Sequence, residues 1–129
     1  MAKVIFYTYP SCTSCRKTKV WLTDHEVNYE ERHLFRNRPN ANELMELLKL
    51  SKSGVEELVA KRSDTYKRLK VNLNDLPLSQ AIQLLSDDPK LLKRPIITDG
   101  KHLVVGYHKE DLRRIASEKD KHKQESKLV

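Results

Sequence analysis

The order of apolar patterns in the first third of the chain limits its fold more than any other feature. Residues 4–7 (VIFY) form a β-branched and aromatic run that ends before Pro10, which predicts a buried strand followed by a loop. From Ser14 the apolar residues follow helical spacing, and either Ser11 or Ser14 is expected to cap this helix. Apolar and polar residues alternate through residues 27–32, which predicts a second strand. A strand, a helix and a strand over about 30 residues form a βαβ unit, so the two strands are expected to be parallel.

The middle of the chain, from about residue 39 to residue 89, has helical periodicity. Asn40 and Glu43 resemble a capping box at the start of one helix, and Ser53 and Gly54 are expected to end it. Further apolar stripes predict helical segments over residues 55–59, 64–69 and 78–86. We therefore expect a helical segment between two parts that contain strands.

The last third of the chain returns to strands. Residues 95–98 and 102–105 flank the dipeptide Asp99-Gly100, which is a strong signal for a hairpin with a type I′ turn. A closing helix follows, with Leu112, Ile115 and Ala116 on one face. Residues 118–129 are almost entirely polar and charged, and we interpret them as a flexible tail.

These patterns indicate an α/β protein with a thioredoxin-like arrangement (βαβ…ββα) and an inserted helical subdomain. The 129 residues are expected to form a single domain. Its thioredoxin-like parts are predicted at about 1–38 and 90–117, and its helical insertion at about 39–89.

The composition excludes several classes of protein. Hydrophobic residues make up 38% of the chain, enough for one core, and no apolar run approaches the roughly 20 residues of a membrane-spanning helix. The N-terminal apolar stretch is too short for a secretory signal, so we expect a cytoplasmic protein without membrane association. The net charge of +7 admits an acidic partner, but because the charges are spread along the chain they do not identify it.

The chain's two cysteines, Cys12 and Cys15, form a C-x-x-C motif between the first strand and the first helix. Two cysteines cannot complete a tetrahedral zinc site, and the histidines show no ligand spacing, so we predict no metal. The helix N-terminus, with Arg16 and Lys17 nearby, favours the thiolate form of Cys12. We therefore expect Cys12 to be the attacking thiol and Cys15 the resolving one. The alternative, that both cysteines only pack in a turn, stays open.

Three more positions are candidates for function. Pro95 is a candidate cis proline, because thioredoxin-like folds place one beside the cysteine loop, although a trans proline is also acceptable at the start of a strand. Arg94 is interpreted as binding an anion or stabilising the Cys12 thiolate, or else as an exposed arginine. Gly54 is either a helix stop or a point at which a partner contacts the backbone.

Several motifs of this chain resemble the Spx family, and in particular its Spx/MgsR branch. The matching segments are residues 9–17 (YPSCTSCRK), 62–63 (RS), 91–97 (LLKRPII) and 105–107 (VGY). Spx proteins are small cytoplasmic transcriptional regulators of Gram-positive bacteria, related in fold to arsenate reductases. The resemblance implies a protein that binds the C-terminal domain of the RNA polymerase α subunit and contacts promoter DNA only within the polymerase complex.

The resemblance also implies roles for particular residues. Cys12 and Cys15 would form a thiol–disulfide switch that controls stress-response genes, without a cofactor. Gly54 and Lys49 would contact the polymerase α subunit, and Arg94 would respond to the disulfide. The family further implies a monomer that is degraded by the ClpXP protease with the help of an adaptor.

Arsenate reductase of the glutaredoxin-dependent kind is the main alternative, followed by a general thiol–disulfide oxidoreductase. Arginines cradle the oxyanion in such reductases, and Arg62 and Arg94 fit two of these positions. The third arginine is expected near Gly106, where this chain has none, and the position of Cys15 is normally a serine. We therefore favour a regulator over an enzyme.

Overall fold

The computed structural model describes residues 4–116 of the chain. Within this range the strands are β1 (Val4–Thr8), β2 (Tyr29–His33), β3 (Ile96–Thr98) and β4 (Leu103–Val105). The α-helices are α1 (Thr13–Asp24), α2 (Ala41–Leu50), α3 (Val55–Leu58), α4 (Asp64–Leu69), α5 (Leu78–Asp87) and α6, which covers residues 109–116. Short 3-10 turns, Leu73–Asp75 and Pro89–Leu91, lie on either side of α5.

The strands form one mixed sheet with the order β2-β1-β3-β4. β1 and β2 are parallel, whereas β3 pairs antiparallel with β1 and β4 antiparallel with β3. A parallel pair needs a long crossover, which α1 supplies, and an antiparallel pair can be joined by a short turn. The predicted βαβ unit and the predicted hairpin are therefore both confirmed.

Alternate residues of β1 contact two separate cores, because successive side chains of a strand point to opposite faces of the sheet. Val4 and Phe6 belong to a core that α1 and α6 complete, and in which Trp21 and Leu22 are buried. Tyr7 belongs to a second core, on the other face, that the helices of the middle segment complete. Buried residues of α2 and α5 in this second core are Leu44, Leu47, Ile82 and Leu85. Burying one leucine contributes about 1.5–3 kcal/mol, so helices stabilise the sheet from both sides.

The start of α2 has the predicted capping box. The Asn40 side chain accepts a 2.8 Å hydrogen bond from the Glu43 N–H, and the Glu43 carboxylate accepts one of 3.0 Å from the Asn40 N–H. These two bonds satisfy backbone donors that the first turn of a helix leaves free.

The prediction that Ser53 and Gly54 end α2 was wrong, because the helix ends earlier, at its C-cap residue Ser51. The Ser51 hydroxyl donates a 2.6 Å hydrogen bond to the Leu48 carbonyl and accepts one of 3.1 Å from the Gly54 N–H. Such local side-chain hydrogen bonds compete with the backbone hydrogen bonds that would continue the helix. Gly54 instead occupies the N-cap position of α3, with a φ of 73°.

The hairpin lacks the predicted two-residue type I′ turn, because residues 99–102 form a longer loop between β3 and β4. The buried Asp99 carboxylate accepts backbone hydrogen bonds of 2.9 Å from Lys101 and 2.7 Å from His102. The φ of Gly100 is 89°, a value that favours glycine, but Asp99 does not share a positive φ. The side-chain bonds of Asp99 therefore shape a loop that the dipeptide alone did not predict.

The tail at residues 118–129 lies outside the described residues. The division into thioredoxin-like parts and a helical insertion stays a prediction. Across residues 4–116, none of the helices has the length and apolar character needed to cross a membrane.

Candidate functional site

The topology brings the residues that follow β1, β2 and β4 to one edge of the sheet, next to those that precede β3. Parallel pairing puts the ends of β1 and β2 side by side, and antiparallel pairing puts the start of β3 beside the end of β1. The end of β4 lies opposite the start of β3, and the Gly106 N–H donates a 2.8 Å hydrogen bond to the Pro95 carbonyl. The cysteine loop and the Arg94-Pro95 dipeptide therefore share this edge.

Cys12 itself caps α1, so the prediction that Ser11 or Ser14 does so was wrong. Its sulfur accepts a 3.4 Å hydrogen bond from the Cys15 N–H, and its own N–H donates a 3.0 Å bond to the Tyr9 carbonyl. The second bond closes a tight turn after β1, which places the sulfur where a capping oxygen normally lies. The Cys12 sulfur therefore satisfies a backbone N–H group that the first turn of α1 would otherwise leave free.

Cys15 lies one turn into α1 and is buried, with 1% of its surface exposed. Burial raises the pKa of the Cys15 thiol to about 11, a hydrogen bond with the Cys12 side chain adds to this rise, and hydrogen bonds with Tyr9 and Thr8 oppose it. Both cysteines are free thiols. Cys12 is therefore the more accessible of the two thiols.

Arg94 packs on an aromatic cluster that the sequence analysis missed. Its guanidinium carbon lies 5.6 Å from the ring centroids of both Tyr9 and Phe35, and these two rings are 4.7 Å apart. The ring of His33 packs edge-on against Tyr9 at 5.8 Å. Tyr9 directly follows β1 and Phe35 lies just beyond β2, so the parallel pairing of these strands is the signal that could have found the cluster. Arg94 is thus linked to the cysteine loop through Tyr9.

The Arg94–Pro95 peptide bond is cis, and Pro95 is buried. Arg62, the other arginine that the sequence analysis singled out, is exposed on the loop before α4. Ala60 donates a 2.7 Å backbone hydrogen bond to Leu91, and Lys93 donates one of 2.8 Å to Leu58. Residues 58–60 are thus paired antiparallel with residues 91–93. The backbone continues to Arg62 from one end of this pair and to Arg94 from the opposite end. The two arginines therefore leave the paired segment in opposite directions.

Gly54 and Lys49 flank the loop between α2 and α3. Lys49 is in the last turn of α2, where its exposed ammonium lies 3.1 Å from the Glu46 carboxylate. The Glu57 carboxylate accepts a 2.7 Å hydrogen bond from the Lys52 N–H, and the Glu57 N–H donates one of 3.1 Å to the Gly54 carbonyl. These bonds hold the loop in one shape and present Gly54 at its end.

Gly54 combines a backbone conformation that favours glycine with free space around it. Its φ of 73° and ψ of −145° lie in a region that is almost restricted to glycine. An added Cβ atom meets nothing within 4 Å. A side chain at this position would therefore project from the surface rather than into the core.

A second group of residues that the sequence analysis missed joins the sheet to α2. The Arg32 guanidinium donates to the Glu43 carboxylate, to the Tyr7 hydroxyl at 3.1 Å and to the Asn37 carbonyl at 3.1 Å. Burial raises the pKa of Tyr7 to about 12, although the nearby charge of Arg32 opposes this rise. The predicted strand at residues 27–32 could have indicated that Arg32 lies in the sheet. It could not indicate the partner of Arg32, because Glu43 lies on α2 and is distant in sequence.

The family assignment agrees with this architecture. The sequence model of the ArsC family matches residues 7–115. The chain belongs to the ArsC family. Among solved structures of similar fold, an ArsC-family-related protein from Bacteroides fragilis is 30% identical and covers 87% of this chain and 96% of its own, with a TM-score of 0.80. A candidate arsenate reductase from Streptococcus mutans is 32% identical over 88% of this chain and 99% of its own, with a TM-score of 0.75. The predicted thioredoxin-like, arsenate reductase-like fold is confirmed.

Within the ArsC family, the most similar curated relatives include transcriptional regulators. Regulatory protein MgsR of Bacillus subtilis is 45% identical over 120 residues, which are 93% of this chain and 95% of MgsR. The global transcriptional regulator Spx of Listeria innocua is 44% identical over 111 residues, 86% of this chain and 85% of that protein. The resemblance to the Spx/MgsR branch is therefore confirmed.

Proposed function

We propose that this protein is a redox-sensing transcriptional regulator that binds the C-terminal domain of the RNA polymerase α subunit. The observation that carries the proposal is its identity of 42–45% to Spx and MgsR regulators over most of the chain. The protein acts in the cytoplasm as a monomer, contacts promoter DNA only within the polymerase complex, and is degraded by ClpXP with an adaptor.

The regulatory part of the proposal assigns a thiol–disulfide switch to Cys12 and Cys15. Support comes from the Cys12 sulfur at the start of α1 and from the buried Cys15 thiol in hydrogen-bond contact with it. Oxidation of Cys12 followed by attack from Cys15 would close an intramolecular disulfide. Arg94 then responds to the change because it packs on Tyr9, whose carbonyl accepts the Cys12 N–H.

The binding part of the proposal assigns the α2–α3 loop, with Gly54 and Lys49, to the polymerase contact. Gly54→Arg is expected to weaken binding at least about tenfold, because its side chain projects from the surface where the partner would approach the backbone. Gly54→Ala is the matched control, since it has the same backbone strain but adds only a methyl group in open space. Titration calorimetry of each folded variant with the purified α domain measures the difference. Wild-type affinity in folded Gly54→Arg contradicts the interface assignment.

The switch is tested by the same titration before and after treatment with diamide. Oxidation of the wild-type protein is expected to change its affinity or its promoter activation in vitro. Cys12→Ser is expected to bind the α domain like the reduced wild type and to show no change after diamide, because no disulfide can form. An oxidant response of normal size in Cys12→Ser places the switch elsewhere.

Arsenate reduction is the second candidate function, favoured by the similarity to the Streptococcus mutans protein. It needs several arginines around one oxyanion, since each charge-assisted hydrogen bond contributes about 1.5–3 kcal/mol. The guanidinium of Arg94 packs on Tyr9 and Phe35, and the backbone at Arg62 leads away from it. We therefore propose that the chain is not an enzyme. Catalytic turnover of arsenate with glutaredoxin, without binding to the α domain, would reverse this choice.

A further inference from the structure

A groove beside the cysteine loop has no role in the function proposed so far. It has a volume of about 510 Å³, within the range of sites for small molecules. The residues that line this basic groove are Thr13, Arg16, Lys17, Val20, Tyr107 and Lys109.

The charge of the basic groove selects anions. Arg16 and Lys17 come from α1 and Lys109 from α6, so cations of two elements converge on one space, and none of the lining residues within 4–116 carries a carboxylate. The Arg16 guanidinium donates a 3.4 Å hydrogen bond to the Thr13 hydroxyl, which holds it toward the start of the helix. Val20 is 60% exposed, and with Tyr107 it adds apolar surface for the carbon skeleton of a ligand.

The position of the basic groove relates it to Cys12. Thr13 directly follows the cysteine that caps α1, and it forms part of the lining. Tyr107 follows Gly106, whose N–H is bonded to the Pro95 carbonyl at the edge of the sheet. The lining of the groove therefore begins one residue after Cys12, the more exposed of the two cysteines.

We infer that the basic groove binds the anionic groups of a low-molecular-weight disulfide and so delivers its sulfur to Cys12. This inference deepens the proposed thiol switch, on which it rests, by naming the chemical class of the oxidant.

The reaction is a pair of thiol–disulfide exchanges. The Cys12 thiolate attacks one sulfur of the disulfide R–S–S–R, forming Cys12–S–S–R and releasing R–S⁻. Cys15 then loses its proton and attacks the Cys12 sulfur, which forms the Cys12–Cys15 bond and releases a second R–S⁻. The protein dithiol loses two electrons and the small disulfide gains them, leaving two molecules of R–SH.

Disulfides of different charge test the inference. The full-length reduced protein is mixed with glutathione disulfide (net negative), hydroxyethyl disulfide (neutral) or cystamine (net positive), and the second-order rate of thiol loss is measured. We expect glutathione disulfide to react fastest relative to its rate with a free cysteine peptide. Raising the salt concentration should reduce this preference, because salt screens charges.

Groove variants show where the preference originates. Lys17→Gln and Lys109→Gln are each expected to lower the rate with glutathione disulfide about two- to fivefold and to leave the rate with hydroxyethyl disulfide unchanged. Arg113→Gln is the matched control, because it removes one positive charge from the same helix as Lys109 but lies outside the groove. The neutral probe also reports any change in the intrinsic reactivity of Cys12.

The inference is overturned if the wild type shows no preference for the anionic disulfide, or if Arg113→Gln lowers the rate as much as Lys109→Gln. Failure of the regulatory function has a different signature. A protein that keeps the groove-dependent preference but does not bind the α domain retains this inference and loses the polymerase proposal.

Discussion

Cys12 and Cys15 are one helical turn apart, yet their positions give them different chemistry. Cys12 lies at the start of α1, where its sulfur accepts a backbone N–H, whereas Cys15 points into the protein and is almost fully buried. Water and free N–H groups stabilise a thiolate, and an apolar interior destabilises it. The same residue type in one short motif is therefore partly exposed at one position and shielded from solvent at the other.

Alkylation by iodoacetamide at pH 8 is expected to modify Cys12 at least about tenfold faster than Cys15, because only a thiolate reacts. In Cys12→Ser, the alkylation rate of Cys15 is expected to keep rising above pH 8, because burial raises the pKa of this thiol and the thiolate fraction grows with pH below the pKa. Mass spectrometry of the two single variants measures both rates. Equal rates in Cys12→Ser and Cys15→Ser at pH 8 would contradict the assignment of roles.

Individual elements are joined by a small number of polar side chains. Arg32 on β2 is 12% exposed and bonds the Glu43 carboxylate at the start of α2, which also belongs to the capping box. Burial opposes ionisation of Glu43, but hydrogen bonds from Arg32 and from the Asn40 N–H outweigh it and lower the pKa of Glu43 below 4.5. One carboxylate therefore serves both the helix start and its attachment to the sheet.

Glu43→Gln is expected to lower the free energy of unfolding at pH 7 by about 1–2 kcal/mol, because it leaves Arg32 without its charged partner. The pKa of Glu43 is lowered in the folded state, so its contribution is present above pH 4.5 and is lost as pH falls through the folded-state pKa. The difference between wild type and variant should therefore shrink in acid. Urea unfolding at several pH values measures it, with Glu46→Gln on the exposed side of α2 as the control. A pH-independent difference would mean that the charge of Glu43 does not matter.

At the scale of the whole molecule, one short sheet contributes residues to both hydrophobic cores. β1 contributes Val4 and Phe6 to the core with α1 and α6, and Tyr7 to the core with the middle helices. The pairing of residues 58–60 with 91–93 also connects the end of α3 to the stretch that leads into β3. Because each core covers one face of the same strands, loss of either layer exposes the sheet that the other layer needs.

The protein is therefore expected to unfold in a single transition, as the prediction of one domain requires. Trp21 reports on the core with α1 and α6, whereas far-ultraviolet circular dichroism reports largely on the middle helices. Both signals, followed in urea, should give the same midpoint within error. An earlier loss of helical signal, with Trp21 still buried, would show that the middle segment is an independent unit.

The sequence by itself determined the elements whose signals are local. The βαβ unit, the helical segments of the middle and the hairpin all follow from apolar periodicity, and the capping box at Asn40 follows from residue types three positions apart. The C-x-x-C motif and the segments around it were enough to identify the family. Chemistry that needs two residues at a short spacing can be recognised from residues that are close in sequence.

Only the tertiary structure decided which distant residues meet. Arg94 packs on Tyr9 and Phe35 because three strand ends share an edge. The bond of Arg32 to Glu43 likewise depends on how α2 packs on the sheet. Such contacts are set by strand pairing and by the burial of whole faces, and these depend on the complete chain rather than on any local pattern of residues.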